Sequence, residues 1–121
     1  MKLVYTVFAD MDDLPVRGNA VDSGDAELDT KVENEILTLL DKGNIWAWAS
    51  VEVKCSVDID GVTFAGRDCL GACSYKDEND FKNGGYYDQM KEGARRDLLE
   101  NLRDAVKLGN KAYKILDNYH V

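Results

Sequence analysis

From Ile45 to Ile59 the chain alternates with a period of two. Ile45, Ala47, Ala49, Val51, Val53, Cys55, Val57 and Ile59 are all apolar, and between them stand Trp46, Trp48, Ser50, Glu52, Lys54, Ser56 and Asp58. That period belongs to a strand with one buried face. Asp60-Gly61 follows, a dipeptide suited to the positive φ values of a two-residue hairpin turn. Counting outward from the turn predicts a register. Ile59 faces Val62, Val57 faces Phe64, Cys55 faces Gly66, Val51 faces Leu70 and Ala49 faces Ala72, all on the apolar side. The other side pairs Lys54 with Arg67, Glu52 with Cys69, Trp48 with Cys73 and Trp46 with Tyr75. Asp68 falls opposite Val53 on the apolar side. It requires either a bulge near Gly66 that turns it outward or a buried partner. The tryptophans are the second anomaly, because the polar side of the strand carries both of them.

The rest of the chain supplies elements to cover this hairpin. "KLVYTVFAD" alternates Leu3, Tyr5, Val7 and Ala9 against Val4, Thr6 and Phe8, a strand largely apolar on both faces. Residues 10–24 form a long acidic loop holding the only proline, Pro15. Leu28, Val32, Ile36 and Leu39 then follow helical spacing. Ser23 or Asp25 can cap this helix and Gly43 can end it. Residues 76–85, "KDENDFKNGG", read as a polar loop. Met90, Ala94, Leu98, Leu102, Ala105 and Val106 mark a second helix that Gly109 can end. Residues 110–121 form a helical tail, either separate or a continuation.

The predicted architecture is one α+β domain over residues 1–121, in the order β-α-β-β-α with a further C-terminal α segment. A right-handed crossover makes the first two strands parallel. The third strand then lies between them, giving a mostly antiparallel sheet of order 1-3-2 with the helices on one face.

Composition narrows the function classes. The chain has 121 residues and a formal charge of −8. Such a charge is repelled by phosphate backbones, which sets nucleic acid behind protein as a partner. No apolar run spans a membrane, and the N-terminus lacks the apolar core of a signal peptide, so the expected location is the cytosol. Cys55, Cys69 and Cys73 are expected as reduced thiols. The only histidine is His120, which argues against a zinc site and against a Cys-His or Ser-His pair. "VFADMDD" places Asp10 and Asp12 as in the first motif of aspartate-nucleophile phosphatases, but the later motifs and the larger sheet of that fold have no room here, so these aspartates read as a solvated loop. The acidic stretches do not have EF-hand spacing. No cofactor, metal or catalytic residue is expected.

Two groups remain as candidate partner-binding sites. Asp22 precedes the first helix, and Asp25, Asp29 and Glu33 stand one turn apart along it. Such a row is either a solvated helix face or a mimic of phosphates directed at a basic groove. Trp46, Trp48 and Tyr75 cluster at the end of the sheet away from the turn. They are covered by the chain's own loops, by a second copy, or by a target that includes single-stranded nucleic acid.

Three segments carry a resemblance: "LPVRGN…SGD" at 14–25, "WAWASVEV" at 46–53 and "GACSYKDENDFKNGGYYDQM" at 71–90. Together they resemble small proteins encoded by bacteriophages and prophages, over most of the chain to about residue 100. That resemblance implies the cytosol of a bacterial host and an accessory role, such as host modulation, counter-defence or nucleic-acid metabolism. It brings no catalytic assignment. The leading expectation is a non-enzymatic protein that binds a host or phage protein. A single-stranded nucleic-acid-binding protein is the alternative.

Overall fold

The computed structural model describes residues 2–119. It is an α+β fold with one three-stranded sheet: β1 (Val4–Met11), β2 (Ala49–Ile59) and β3 (Val62–Cys73). The helices are α1 (Ala26–Asp41), α2 (Glu78–Asn83) and α3 (Gly85–Tyr119). A single 3-10 turn at Ile45–Ala47 leads into β2.

The hairpin follows the register set by Asp60-Gly61. Ile59 pairs with Val62, Cys55 with Gly66 and Val51 with Leu70, and both turn residues have positive φ. The bulge lies elsewhere than near Gly66. Pairing is uninterrupted past Gly66 and slips between Ala49 and Val51, so that Ala49 meets Cys73 rather than Ala72. Ala72 takes the extra residue's strain at φ 53°. Asp68 therefore stays opposite Val53, half-buried, on the side that faces α3. Gly93 makes room for it, since a Cβ there would strike the Asp68 carboxylate.

The strand order is corrected. It is β1-β2-β3, not 1-3-2, and β1 runs antiparallel to β2, with Tyr5 opposite Cys55 and Ala9 opposite Val51. The crossover rule applies when the intervening helix packs back on the sheet. Here α1 does not. It packs on the 3-10 turn and on Val16 and Ala20 of the preceding loop. The expectation of both helices on one face is corrected with it, because α3 is the helix that covers the sheet.

Two cores result. The larger joins Val51, Val53, Cys55 and Val57 of β2 to Met90, Ala94 and Leu98 of α3, with Phe81 of α2 closing one end. The approach of α3 to β3 is close at Gly66. A Cβ at that position would land on the backbone of Ala94 and Leu98 and lie 2.7 Å from the Asp97 carbonyl carbon. Helix side chains also satisfy the outer backbone groups of β3. Asp97 accepts from Arg67 N at 2.9 Å, and Asn101 donates to Ala65 O at 2.7 Å. This blunts an edge that could otherwise pair with another strand.

Residues 76–85 are not all loop, since α2 occupies Glu78–Asn83 with Asp77 as its N-cap. Gly109 does not end α3, which runs 35 residues without a break. The tail predicted at 110–121 is its continuation as far as Tyr119, and residues 120 and 121 lie outside the described residues.

Asp12 locks the sheet at the end where the loop departs. Its carboxylate accepts from Leu14 N at 2.8 Å and from Ala72 N at 2.7 Å, joining the end of β1 to the bulge of β3. These two backbone donors hold its pKa below the ordinary carboxylate value. The stabilisation is present above the unfolded-state pKa of about 3.9 and is lost as pH falls through the lower folded value. Asp12→Ala should lower the melting temperature by about 3–8 °C near neutral pH. In a pH series of thermal melts, the gap from the unmodified chain should close below about pH 4.

Candidate functional site

The two tryptophans do not share the outer face of a strand. The 3-10 turn at Ile45–Ala47 breaks the alternation, because Asn44 caps Trp46 N and the chain turns before it extends. Trp46 joins the sheet–α3 core. Its ring lies 5.7 Å from that of Phe81, which Tyr75 meets edge-on at 5.3 Å. Tyr75 N donates to Trp46 O at 2.8 Å, so the two residues predicted to pair do meet. Trp48 faces the other way and is 3% exposed. It is the centre of the second core, with Val16, Ile36 and Ala47 around it, and its indole N–H donates to Leu14 O at 2.7 Å. Of the three covers considered for Trp48, the chain's own loop and α1 provide it.

The acidic residues on α1 are placed with equal definition. Glu33 is buried at 7% exposure, accepting from Gly18 N at 2.7 Å with Arg17 Nη1 at 3.5 Å. Asp25 is the N-cap and accepts from Glu27 N and Leu28 N. Asp29 accepts from the backbone and hydroxyl of Ser23. Asp29 and Glu33 are the clasps by which the loop is bound to α1, and Asp25 caps the helix start. The loop adds its own bonds: Asn19 Nδ2 donates to Pro15 O at 2.9 Å, and Ala20 N to Val16 O at 3.1 Å. A long segment without regular structure is thereby held in one conformation on α1. Asp22 is the member of the predicted row that stays exposed on this lobe without such a bond.

Other acids, which the sequence reading did not select, face solvent there. Glu27 and Glu35 line an open depression along α1 with Lys31, Asn34, Thr38 and Leu39. Leu39, and Leu28 nearer the start of α1, are 42% and 48% exposed. Helical phase could have found them. Glu27 and Glu35 lie on the side of α1 away from Glu33 and Ile36, and Arg17 of the loop reaches the edge of that side, donating to Asn34 Oδ1 at 2.6 Å.

The sheet face opposite α3 is open. It carries Phe8 at 53% exposure, with Glu52, Lys54, Arg67 and Cys69 around it. Arg67 Nε lies 3.2 Å from Glu52, the diagonal arrangement that makes the cross-strand pair of Lys54 and Arg67 tolerable. Burial first, and then Glu52 and Asp68, push the Cys69 thiol up, which disfavours its reactive thiolate. All three cysteines are free thiols. No helix among the described residues is long and apolar enough to cross a membrane. No protein-family model, curated protein or solved structure matches this chain.

Proposed function

We propose that the chain is a non-catalytic binding protein whose acidic lobe engages a basic surface on a protein partner. The lobe is α1 with the loop clasped to it. The observation that carries this reading is the division of labour among its carboxylates. Asp25, Asp29 and Glu33 hold the lobe in one shape, and Asp22, Glu27 and Glu35 face outward beside Leu28 and Leu39. A surface ordered before binding loses less entropy on association, and its negative field speeds encounter with a positive partner. In the phage setting implied by the sequence resemblance, the fitting targets are host complexes that handle nucleic acid or act in defence. These present basic grooves, which a protein of this charge would occupy and inhibit.

The test is capture from bacterial lysate by the intact chain and by a variant carrying Asp22→Lys, Glu27→Lys and Glu35→Lys. A specific partner should be retained at low salt. At least tenfold less should be captured by the variant, and elution should come with rising salt. Capture that ignores both salt and charge reversal would discard the acidic lobe as the site. Retention on single-stranded DNA that is lost in Phe8→Ala would favour the nucleic-acid alternative on the open sheet face.

A further inference from the structure

α3 extends well past the sheet it covers. Leu102 and Ala105 are its last half-buried residues, and every residue from Val106 to Tyr119 is exposed. That stretch is about 20 Å of helix. Its sequence is sorted by face. Leu102, Ala105, Gly109, Ala112, Leu116 and Tyr119 follow one another at steps of three and four, the spacing of a straight helix–helix seam. Val106 and Tyr113 flank the seam on one side, and Leu108 and Ile115 on the other. The charged residues, among them Lys107, Lys111, Lys114 and Asp117, all stand on the opposite face. An isolated helix of this length is marginal in water, and Gly109 weakens it further.

We infer that this face is covered by a second copy of the chain, with the two α3 extensions packed antiparallel. The area fits. Val106, Leu108, Tyr113, Ile115, Leu116 and Tyr119 are 59% to 74% exposed. Together they offer on the order of 800 Å² per copy, the contribution of one partner to a standard interface and more than most monomers expose in one patch. The seam fits as well. Centred between Asn110 and Lys111, an antiparallel pair sets Gly109 against Ala112, Ala105 against Leu116 and Leu102 against Tyr119. Small residues at the centre let the backbones approach, and the large flanking side chains then wrap the partner helix. Charge selects the direction. Each copy carries −8, and an antiparallel pair keeps the two acidic bodies at opposite ends, whereas a parallel pair sets them side by side. A lipid surface fits less well, because its ideal helix has large side chains where this one has Ala105, Gly109 and Ala112. The interface lies on a different surface from the acidic lobe and stands or falls separately from it.

Sedimentation equilibrium of the full chain tests the inference. A dimer is expected at tens of micromolar protein. Gly109→Leu raises helix propensity, so it should leave the melting profile of the monomer intact or improved, yet it forces the backbones apart. It should weaken the dimer at least tenfold, as should Leu116→Lys. In a Cys69→Ser background, chains carrying Ala105→Cys should cross-link to chains carrying Leu116→Cys faster than either cross-links to itself. A monomer at a hundred micromolar would overturn the inference, as would a dimer indifferent to both substitutions. A monomer that sediments with anionic vesicles would reassign the face to membrane. Self-linking of each variant chain through its introduced cysteine, in preference to the mixed pair, would overturn the antiparallel arrangement.

Discussion

Trp48→Ala should destabilise the fold by about 3–5 kcal/mol, the cost of removing a large buried aromatic and leaving a cavity. Trp48 is 3% exposed and touches both halves of the lobe. Its ring packs with Ile36 of α1 and Val16 of the loop, and its indole N–H satisfies Leu14 O. Removing it opens the second core and leaves that carbonyl without its donor. The sheet–α3 core does not contain Trp48, so the damage should be regional. Hydrogen exchange should show protection lost first in α1, while β2 and Leu98 of α3 remain slow. Chemical denaturation of the variant should then show a shallow early transition ahead of the main one. Uniform loss of protection across both cores would mean that the lobe and the sheet unfold as one unit. Tryptophan emission of the variant should then report Trp46 alone, whose neighbour is Phe81.

Gly66→Val is the second large effect. Even one added carbon at Gly66 meets helix backbone, which cannot rotate aside as a side chain would. α3 must lift from β3, and the bonds from Arg67 N to Asp97 and from Asn101 to Ala65 O are stretched with it. Overpacking of this kind costs about 1–3 kcal/mol in deformable sites and more against rigid backbone. The melting temperature should fall by at least about 10 °C. Gly85→Ala is the control, because a Cβ there meets nothing within 4 Å. A Gly66 variant that melts like the control would mean that α3 does not sit this close to the sheet.

What was legible in the sequence was whatever is decided locally. Asp60-Gly61 and the alternation beyond it set the hairpin and most of its register. Asp25 and the apolar spacing from Leu28 set α1. Gly109 misled, because a glycine after an apolar stripe is also a stop signal, and the stripe resumes with Ala112 and Leu116. The tryptophans were misplaced by extending the alternation back through Ile45. Nothing in "NIWAW" announces a 3-10 turn except Asn44, whose side chain caps it. The strand order was lost for a related reason. Helical spacing shows that α1 buries a face, but not which surface receives it. Val16 and Trp48, far apart in the chain, received the face that the crossover rule gave to the sheet. The acidic row has the look of a surface, although Glu33 sits in phase with the buried Ile36. A carboxylate on that side of a helix signals a structural acceptor.

Met11 and Ala49 are paired neighbours on adjacent strands. Everything between them, residues 12–48, leaves the sheet and returns one strand spacing away, about 5 Å. The acidic lobe is thus an appendage on what could have been a tight turn. A body built this way can change its lobe without redesigning its sheet. Substitutions in the lobe then leave the meander and α3 under their own constraints. If partner choice resides in the lobe, variation in length and charge among proteins sharing this body should concentrate between those two strand ends.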